Sequence, residues 1–198
     1  MALETIPLKI FFRLTDDVNG NLPLPRCTIR FNGKTLAENV ELDNPQNVTS
    51  PWQEGKKISI KEFQVDIDDD VEETYNLEIQ YDTKLNEVWH LLKDDPEAGG
   101  NKEDYGAFIH DIEINEISIE SLIYTHGKIT ATICPESEFE THGFIDYLRS
   151  IDQVNEISIV DNQCVWNTHS NYLSVEESLY TFEVKTPLYL WLLELLLQ

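Results

Sequence analysis

The stretch TIRFNGKTL, residues 28–36, contains the clearest fold signal in the chain. Its Asn32-Gly33 pair lies between two arms in which apolar and polar residues alternate. Both residues tolerate the positive φ angles of a tight type I′ turn, and such a turn joins two neighbouring antiparallel strands. We therefore predict a β-hairpin here, and with it a fold built on antiparallel strands.

Alternation of the same kind recurs along most of the chain. Short segments rich in β-branched and aromatic residues are typical of strands. The predicted strands are residues 7–14, 27–31, 58–67, 77–81, 108–114, 116–119 and 179–184, with a second hairpin at 155–166. Within 58–67 the alternation breaks at Lys61-Glu62, which predicts a slip in strand register. The expected fold is mainly β, an antiparallel β-sandwich with a short C-terminal helix.

The 198 residues are enough for a self-sufficient hydrophobic core. We expect a β-sandwich domain in residues 1–133 and a smaller β-rich extension in residues 134–198, packed on the sandwich as one unit. Residues 144–151 are predicted to form a short helix. A second helix is predicted at the C-terminus because Thr186 offers an N-cap, Pro187 suits the first helical position and leucine-rich residues follow.

The amino-acid composition of the chain indicates which partners and which cellular compartment to expect. Acidic side chains outnumber basic ones by 37 to 14, and the formal net charge of -23 repels the phosphate backbone of nucleic acids, so direct nucleic-acid binding is not expected. Three cysteines without a CxxC pair fit reduced thiols in a reducing compartment. Because we recognise neither a secretory signal nor an apolar run of membrane-spanning length, no membrane span is expected.

Motifs of nucleotide-binding and hydrolytic enzymes are missing from the sequence. It contains no GxxxxGK[ST], GxGxxG or GxSxG, and its five histidines never form HxH or HExxH. A triad assembled from distant residues is left open by these patterns. We predict a protein without a catalytic centre, which acts by binding or assembly.

A long polar segment between Asp82 and Gly106 is the first place to expect a binding site, because long loops in compact domains are usually functional or disordered. Trp89 and Tyr105 could stack on a sugar ring whose hydroxyls donate to nearby carboxylates. The alternative is that Trp89 covers the core beneath the loop. Acidic residues crowd this segment and the turn 68–70, so calcium binding and simple solvation are both open.

The predicted C-terminal helix is apolar almost all round. A helix of this kind is buried on more than one side, or it leaves an apolar patch larger than monomers ordinarily expose. We expect one side to pack on the sandwich and the other to contact another chain. The predicted partner interface consists of Leu188, Tyr189, Trp191, Leu192, Leu195 and Leu196.

Three segments resemble, in their order, small proteins encoded by tailed bacteriophages of cyanobacteria and other marine bacteria. They are YNLEIQY at 75–81, IHDIEINEISI at 109–119 and TPLYLWLLE at 186–194. The resemblance implies a structural component of the virion, in the neck, tail, baseplate or fibre attachment, made in the cytoplasm of the host bacterium. Such a component assembles with other virion proteins, as a homo-oligomer or in another symmetric arrangement.

The middle of the chain is also similar to jelly-roll modules that bind xylan with calcium. This resemblance implies a jelly-roll-like sandwich with Asp82, Asp104 and Asp111 as calcium ligands. The sequence departs from these modules at residues 101–106, where NKEDYG replaces their compact Gly-Asp-Arg-Asn loop. The alternative function is therefore a calcium-dependent carbohydrate-binding module that contacts host surface polysaccharide through Trp89 and Tyr105.

Overall fold

The structure is a computed structural model. It describes residues 3–14, 23–43, 46–47, 57–83, 106–132, 156–160, 163–167, 171–173 and 178–197. Its strands are β1 (Glu4–Leu14), β2 (Arg26–Phe31), β3 (Lys34–Glu41), β4 (Gln46–Asn47), β5 (Lys57–Ile67), β6 (Thr74–Tyr81), β7 (Ala107–Ile114), β8 (Ile117–Ser118), β9 (Lys128–Thr132), β10 (Glu156–Val160), β11 (Gln163–Asn167), β12 (Tyr172–Leu173) and β13 (Leu179–Lys185). Its helices are α1 (Glu120–His126) and α2 (Leu188–Leu196).

The strands form two antiparallel sheets. Sheet A has the order β12-β7-β1-β5-β4, with β8 paired to β7, and sheet B has the order β10-β11-β9-β13-β6-β2-β3. Buried residues of both sheets join in one hydrophobic cluster. The predicted mainly β, antiparallel fold is thus confirmed, and two layers around a shared core are what a β-sandwich requires.

Strands from the predicted C-terminal extension belong to both sheets. β12 pairs with β7 in sheet A, and β13 lies between β6 and β9 in sheet B. The described part of residues 134–198 therefore shares its sheets with residues 1–133. The hairpin predicted at 155–166 is confirmed as β10 and β11, whereas the helix predicted at 144–151 lies outside the described residues.

β1 and β5 explain the interior of sheet A. The alternate residues Ile6, Leu8, Ile10 and Phe12 of β1 are buried, as a period of two demands for one face of a strand. β5 pairs with β1 in one continuous register from Glu4 opposite Ile67 to Arg13 opposite Ile58. The predicted register slip is therefore wrong.

The alternation of β5 breaks because polar residues take inward positions. Ser59 lies opposite Phe12, and Lys61 lies opposite Ile10. Lys61 nevertheless finds a partner, since its Nζ lies 2.5 Å from Oδ1 of Asp43, and the Ser59 hydroxyl donates to the Asp43 carbonyl over 2.8 Å. Satisfied polar groups of this kind can stand where an apolar residue is expected.

Two tight turns have positive φ at both central residues. Asn32 and Gly33 have φ angles of 48° and 76° and join β2 to β3, so the predicted hairpin is confirmed. Asn115 and Glu116, at 51° and 67°, join β7 to β8. Here β8 ends at Ser118 and α1 begins at Glu120, so the strand predicted to reach residue 119 gives way to a helix.

The strands bring these turns to one end of the two sheets. We call it the turn end, and it comprises the turns 32–33, 68–73 and 115–116 with helix α2. At the opposite end, β1, β3 and β6 finish, and the chain needs longer connections to reach the next long strand. We call that the long-connection end. The segment between Asp82 and Gly106 starts and finishes there.

Candidate partner-binding surface on the C-terminal helix

Helix α2 packs one side against the shared core. Leu188, Trp191 and Leu192 are buried, and Leu195 packs against the same cluster while half-buried. The ring of Trp191 meets the ring of Phe182 on β13 edge to face, with centroids 6.3 Å apart. Helix α2 is therefore part of the folded domain and is packed on its core.

The start of α2 is held by a residue from the turn between β5 and β6. The first helical N–H groups lack partners inside a helix, so an oxygen from elsewhere usually accepts from them. Here Oδ1 of Asp69 accepts from the backbone N–H of Leu188 over 2.5 Å. Pro187 occupies the N-cap position, and its own side chain has no oxygen to offer.

The Thr186 hydroxyl makes different bonds, so the predicted N-cap is wrong. It donates to the carbonyl of Val71 over 2.7 Å and accepts from the N–H of Glu73 over 3.1 Å. The backbone N–H of Thr186 donates to the carbonyl of Glu73 over 3.0 Å. Thr186 thus ties the chain before the helix to the acidic turn.

The acidic turn 68–73 serves as the support of the helix. Asp68 is buried, and its Oδ1 accepts from the N–H of Asp70 over 3.2 Å. The hydroxyl of Tyr75 accepts from the N–H of Asp68 and donates to Glu73, each over 2.7 Å. Burial is the main cause that raises the pKa of Tyr75. Two carboxylates that suggested calcium, those of Asp68 and Asp69, are engaged by backbone N–H groups instead.

The opposite side of α2 exposes apolar side chains. Tyr189, Leu190, Leu193 and Leu197 are 61%, 60%, 54% and 78% exposed, and we call them the helix patch. Positions four apart on a helix are neighbours, so Tyr189, Leu193 and Leu197 form one ridge with Leu190 beside it. They are four of the five exposed large apolar residues in the described ranges, the fifth being Leu3.

The predicted interface residues divide between the two sides. Leu188, Trp191, Leu192 and the half-buried Leu195 face the protein's own core. Tyr189 belongs to the helix patch, and the side chain of Leu196 lies outside the described residues. The predicted interface did not include Leu190, Leu193 or Leu197. Because leucines occupy both sides of this helix, its pattern alone does not tell which side the sheets cover.

Exposed carboxylates lie on the helix itself and on the two turns that contact its first residues. Asp70, Glu72 and Glu73 lie on the turn that supports the helix, Glu116 follows the residue whose side chain contacts Tyr189, and Glu194 lies on the helix itself. All five are exposed, and we call them the acidic border. Lys185, which precedes the helix, already lies 3.9 Å from Glu183. The surface therefore combines apolar side chains with negative charge.

The structure assigns Asp82 and Asp111 to different sheets. Asp82 follows β6 of sheet B, and its carboxylate accepts from the Thr28 hydroxyl over 2.5 Å. Asp111 lies on β7 of sheet A and accepts from the N–H of Ile112 over 2.7 Å and from the Ser118 hydroxyl over 2.8 Å. Burial raises the pKa of both carboxyl groups, and the hydroxyl hydrogen bonds oppose this rise.

The rest of the predicted calcium and sugar site lies outside the described residues, namely Trp89, Asp104 and Tyr105. Within the ranges that the structure describes, no three His, Cys, Asp or Glu side chains are grouped so that they could hold a metal ion. The calcium-dependent carbohydrate site remains a prediction from sequence.

Cys27 is buried in the described part of the chain as a free thiol. Burial is the main cause that raises its pKa, and Asp82 adds to the rise while Lys61 opposes it. A thiol of this kind is unreactive, because the thiolate is the nucleophile and the metal ligand. Cys27 therefore packs as a small apolar side chain.

Comparisons with protein-family models, with curated proteins and with solved structures found no match. None of the helices in the described ranges has the length and apolarity needed to cross a membrane. Function is therefore inferred from the chain's own residues, and the helix patch is the surface that most needs an explanation.

Proposed function

We propose that the chain is a non-enzymatic structural protein of a tailed bacteriophage virion, which assembles with other virion proteins through the helix patch. The observation that carries this proposal is the exposure of Tyr189, Leu190, Leu193 and Leu197 on one side of a helix whose other side is in the core. Exposed apolar patches on a folded protein mark contact surfaces. A location in the neck, tail, baseplate or fibre attachment belongs to this proposal.

The attachment of α2 favours a binding role for the patch. Trp191 anchors the helix in the core, and Asp69 and Thr186 fix its first turn to the β5–β6 turn. A surface that is already in its bound shape loses little conformational freedom when a partner arrives. Burying one leucine side chain there contributes about 1.5–3 kcal/mol.

The segments that resemble phage proteins come together around this helix. Tyr75, in the first segment, organises the acidic turn, and Asn115, in the second, donates to the hydroxyl of Tyr189 in the third over 3.5 Å. Residues far apart in sequence thus contribute to one surface. This convergence supports a shared role for the three segments, and a jelly-roll-like sandwich made in the host cytoplasm is part of the same proposal.

Incorporation into particles tests the proposal. Cells infected with phage that lack the gene would receive a plasmid copy of the wild-type chain or of Leu190→Gln/Leu193→Gln, and purified particles would be probed for the chain. Glutamine keeps the net charge and has a helix propensity close to that of leucine. We expect the wild-type chain in the particles and the double variant outside them.

A matched control uses Leu3→Gln, because Leu3 is 63% exposed but lies before β1 and not on the helix. This variant should be incorporated like the wild type. Truncation after Lys185 is a poorer test, since it also removes the buried Leu188, Trp191 and Leu192. Particles that never contain the wild-type chain would refute the virion role.

A further inference from the structure

We infer that the helix patch binds a different protein chain, one that presents an apolar groove bordered by lysine or arginine, and not a second copy of this chain. This inference rests on the proposed assembly role and names the chemistry of the partner. It is carried by the juxtaposition of the helix patch with the acidic border, Asp70, Glu72, Glu73, Glu116 and Glu194.

The acidic border opposes contact between two copies through this surface. A twofold interface is self-complementary, so it brings the same surface of each copy together. The exposed Glu194 lies on the helix itself, next to Leu193, and would approach the acidic border of the second copy. Like charges in such a contact cost several kcal/mol as a rule. The net charge of -23 on each chain adds repulsion at longer range.

A partner with an apolar groove and a basic border complements both the helix patch and the acidic border. Its apolar groove covers Leu190 and Leu193, and its lysine or arginine side chains meet Glu72 and Glu194. Opposite charges around an apolar centre set the orientation of the complex and raise the rate of encounter. Such binding weakens as salt screens the border, while the apolar contact remains.

Peptide titration tests this chemistry without the natural partner. The probe is a synthetic amphipathic helical peptide made of leucine and lysine, titrated calorimetrically into the purified full-length chain. One control peptide has glutamate in place of lysine, and another has glutamine in place of leucine. We expect the leucine–lysine peptide to bind more tightly than either control, and its affinity to fall as salt is added.

Variants of the chain test whether the peptide binds at the helix patch and the acidic border. Leu190→Gln/Leu193→Gln should weaken binding of the leucine–lysine peptide by at least about tenfold, because it removes two leucines that the peptide would cover. Glu72→Gln/Glu194→Gln should weaken it and flatten its salt dependence. Glu38→Gln/Glu41→Gln, on β3, removes the same charge from another part of the protein and should change the affinity less. Equal losses in the two charge variants would overturn the role of the acidic border.

Two further measurements test whether the helix patch instead binds a second copy of this chain or a lipid surface. Sedimentation of the chain over a range of concentrations should show a monomer. A dimer that dissociates in the Leu190→Gln/Leu193→Gln variant would overturn the inference. Phosphatidylcholine vesicles should not bind the chain, and binding that the same variant abolishes would assign the patch to lipid. Peptide binding in the absence of incorporation into particles would refute the virion role alone.

Discussion

The two ends of the sheets are built differently. At the turn end, short turns join the strands, and the acidic turn 68–73 supports α2 through hydrogen bonds. At the long-connection end, polar side chains such as Ser59 and Lys61 enter the interior, and the segment predicted to bind sugar begins after Asp82. At the turn end, α2 is firmly attached and exposes leucines, and this is where we propose the assembly surface.

The largest expected effect comes from the buried side of α2. Trp191→Ala should lower the free energy of unfolding by about 3–5 kcal/mol, because it removes a buried aromatic side chain and leaves a cavity beside Phe182. Denaturant titration followed by circular dichroism measures the loss. Leu190→Ala, on the exposed side, is the matched control and should cost far less. Equal losses would show that the two sides of the helix do not differ.

The second prediction concerns the support of the helix. Asp69→Ala should lower the free energy of unfolding by about 0.5–2 kcal/mol, the usual cost of losing a side chain that caps a helix. Asp70→Ala is the matched control, since Asp70 is exposed and its backbone N–H, which the change leaves intact, makes the bond to Asp68. A comparable loss in both variants would mean that charge, and not the bond to Leu188, explains the effect.

Local signals in the sequence were sufficient for several elements. The Asn32-Gly33 turn was predictable because both residues tolerate positive φ, and the C-terminal helix because strong helix formers follow Pro187. Elements that depend on distant partners were not predictable. Asp69 caps a helix 119 residues away, and β13 inserts between β6 and β9. No local pattern records such a contact.

The candidate surface was predictable only in part, for the same reason. The sequence indicated the correct helix, since few helices are so rich in leucine. It did not tell which of Leu192 and Leu193 is buried, because the two sides look alike without the sheets. Lys61 led to a wrong prediction, because a polar residue at an inward position of a strand suggested a register slip. The strand stays in register, since Lys61 bonds to Asp43, which is distant in sequence.

The third prediction examines the long-connection end by pH. The hydrogen bond from Lys61 is the main cause that lowers the pKa of Asp43 below its ordinary value of 3.8. A carboxyl group with a lowered folded-state pKa stabilises the fold above 3.8, and that contribution disappears as pH falls through the folded value. The difference in stability between the wild type and Asp43→Asn should therefore be constant at neutral pH and shrink below about 3.8.

The contribution of the Lys61–Asp43 pair to stability should also be smaller than that of Asp69 at the turn end. Asp43 is half exposed, and pairs of that kind contribute about 0–1 kcal/mol, which is less than the expected cost of Asp69→Ala. Urea unfolding at a series of pH values measures it. A difference that grows on acidification would show that the Lys61–Asp43 pair destabilises the native state.

The smallest effect on stability is expected from the helix patch itself. Leu190→Gln/Leu193→Gln should change the free energy of unfolding by no more than about 0.5 kcal/mol, because both leucines are exposed and glutamine keeps the helix propensity. Its thermal and denaturant midpoints should match those of Leu3→Gln. If the patch instead packs on the protein, the double variant will lose stability by several kcal/mol, as Trp191→Ala does. Neutral stability combined with lost peptide binding is the result expected if these leucines contact a partner and not the protein's own core.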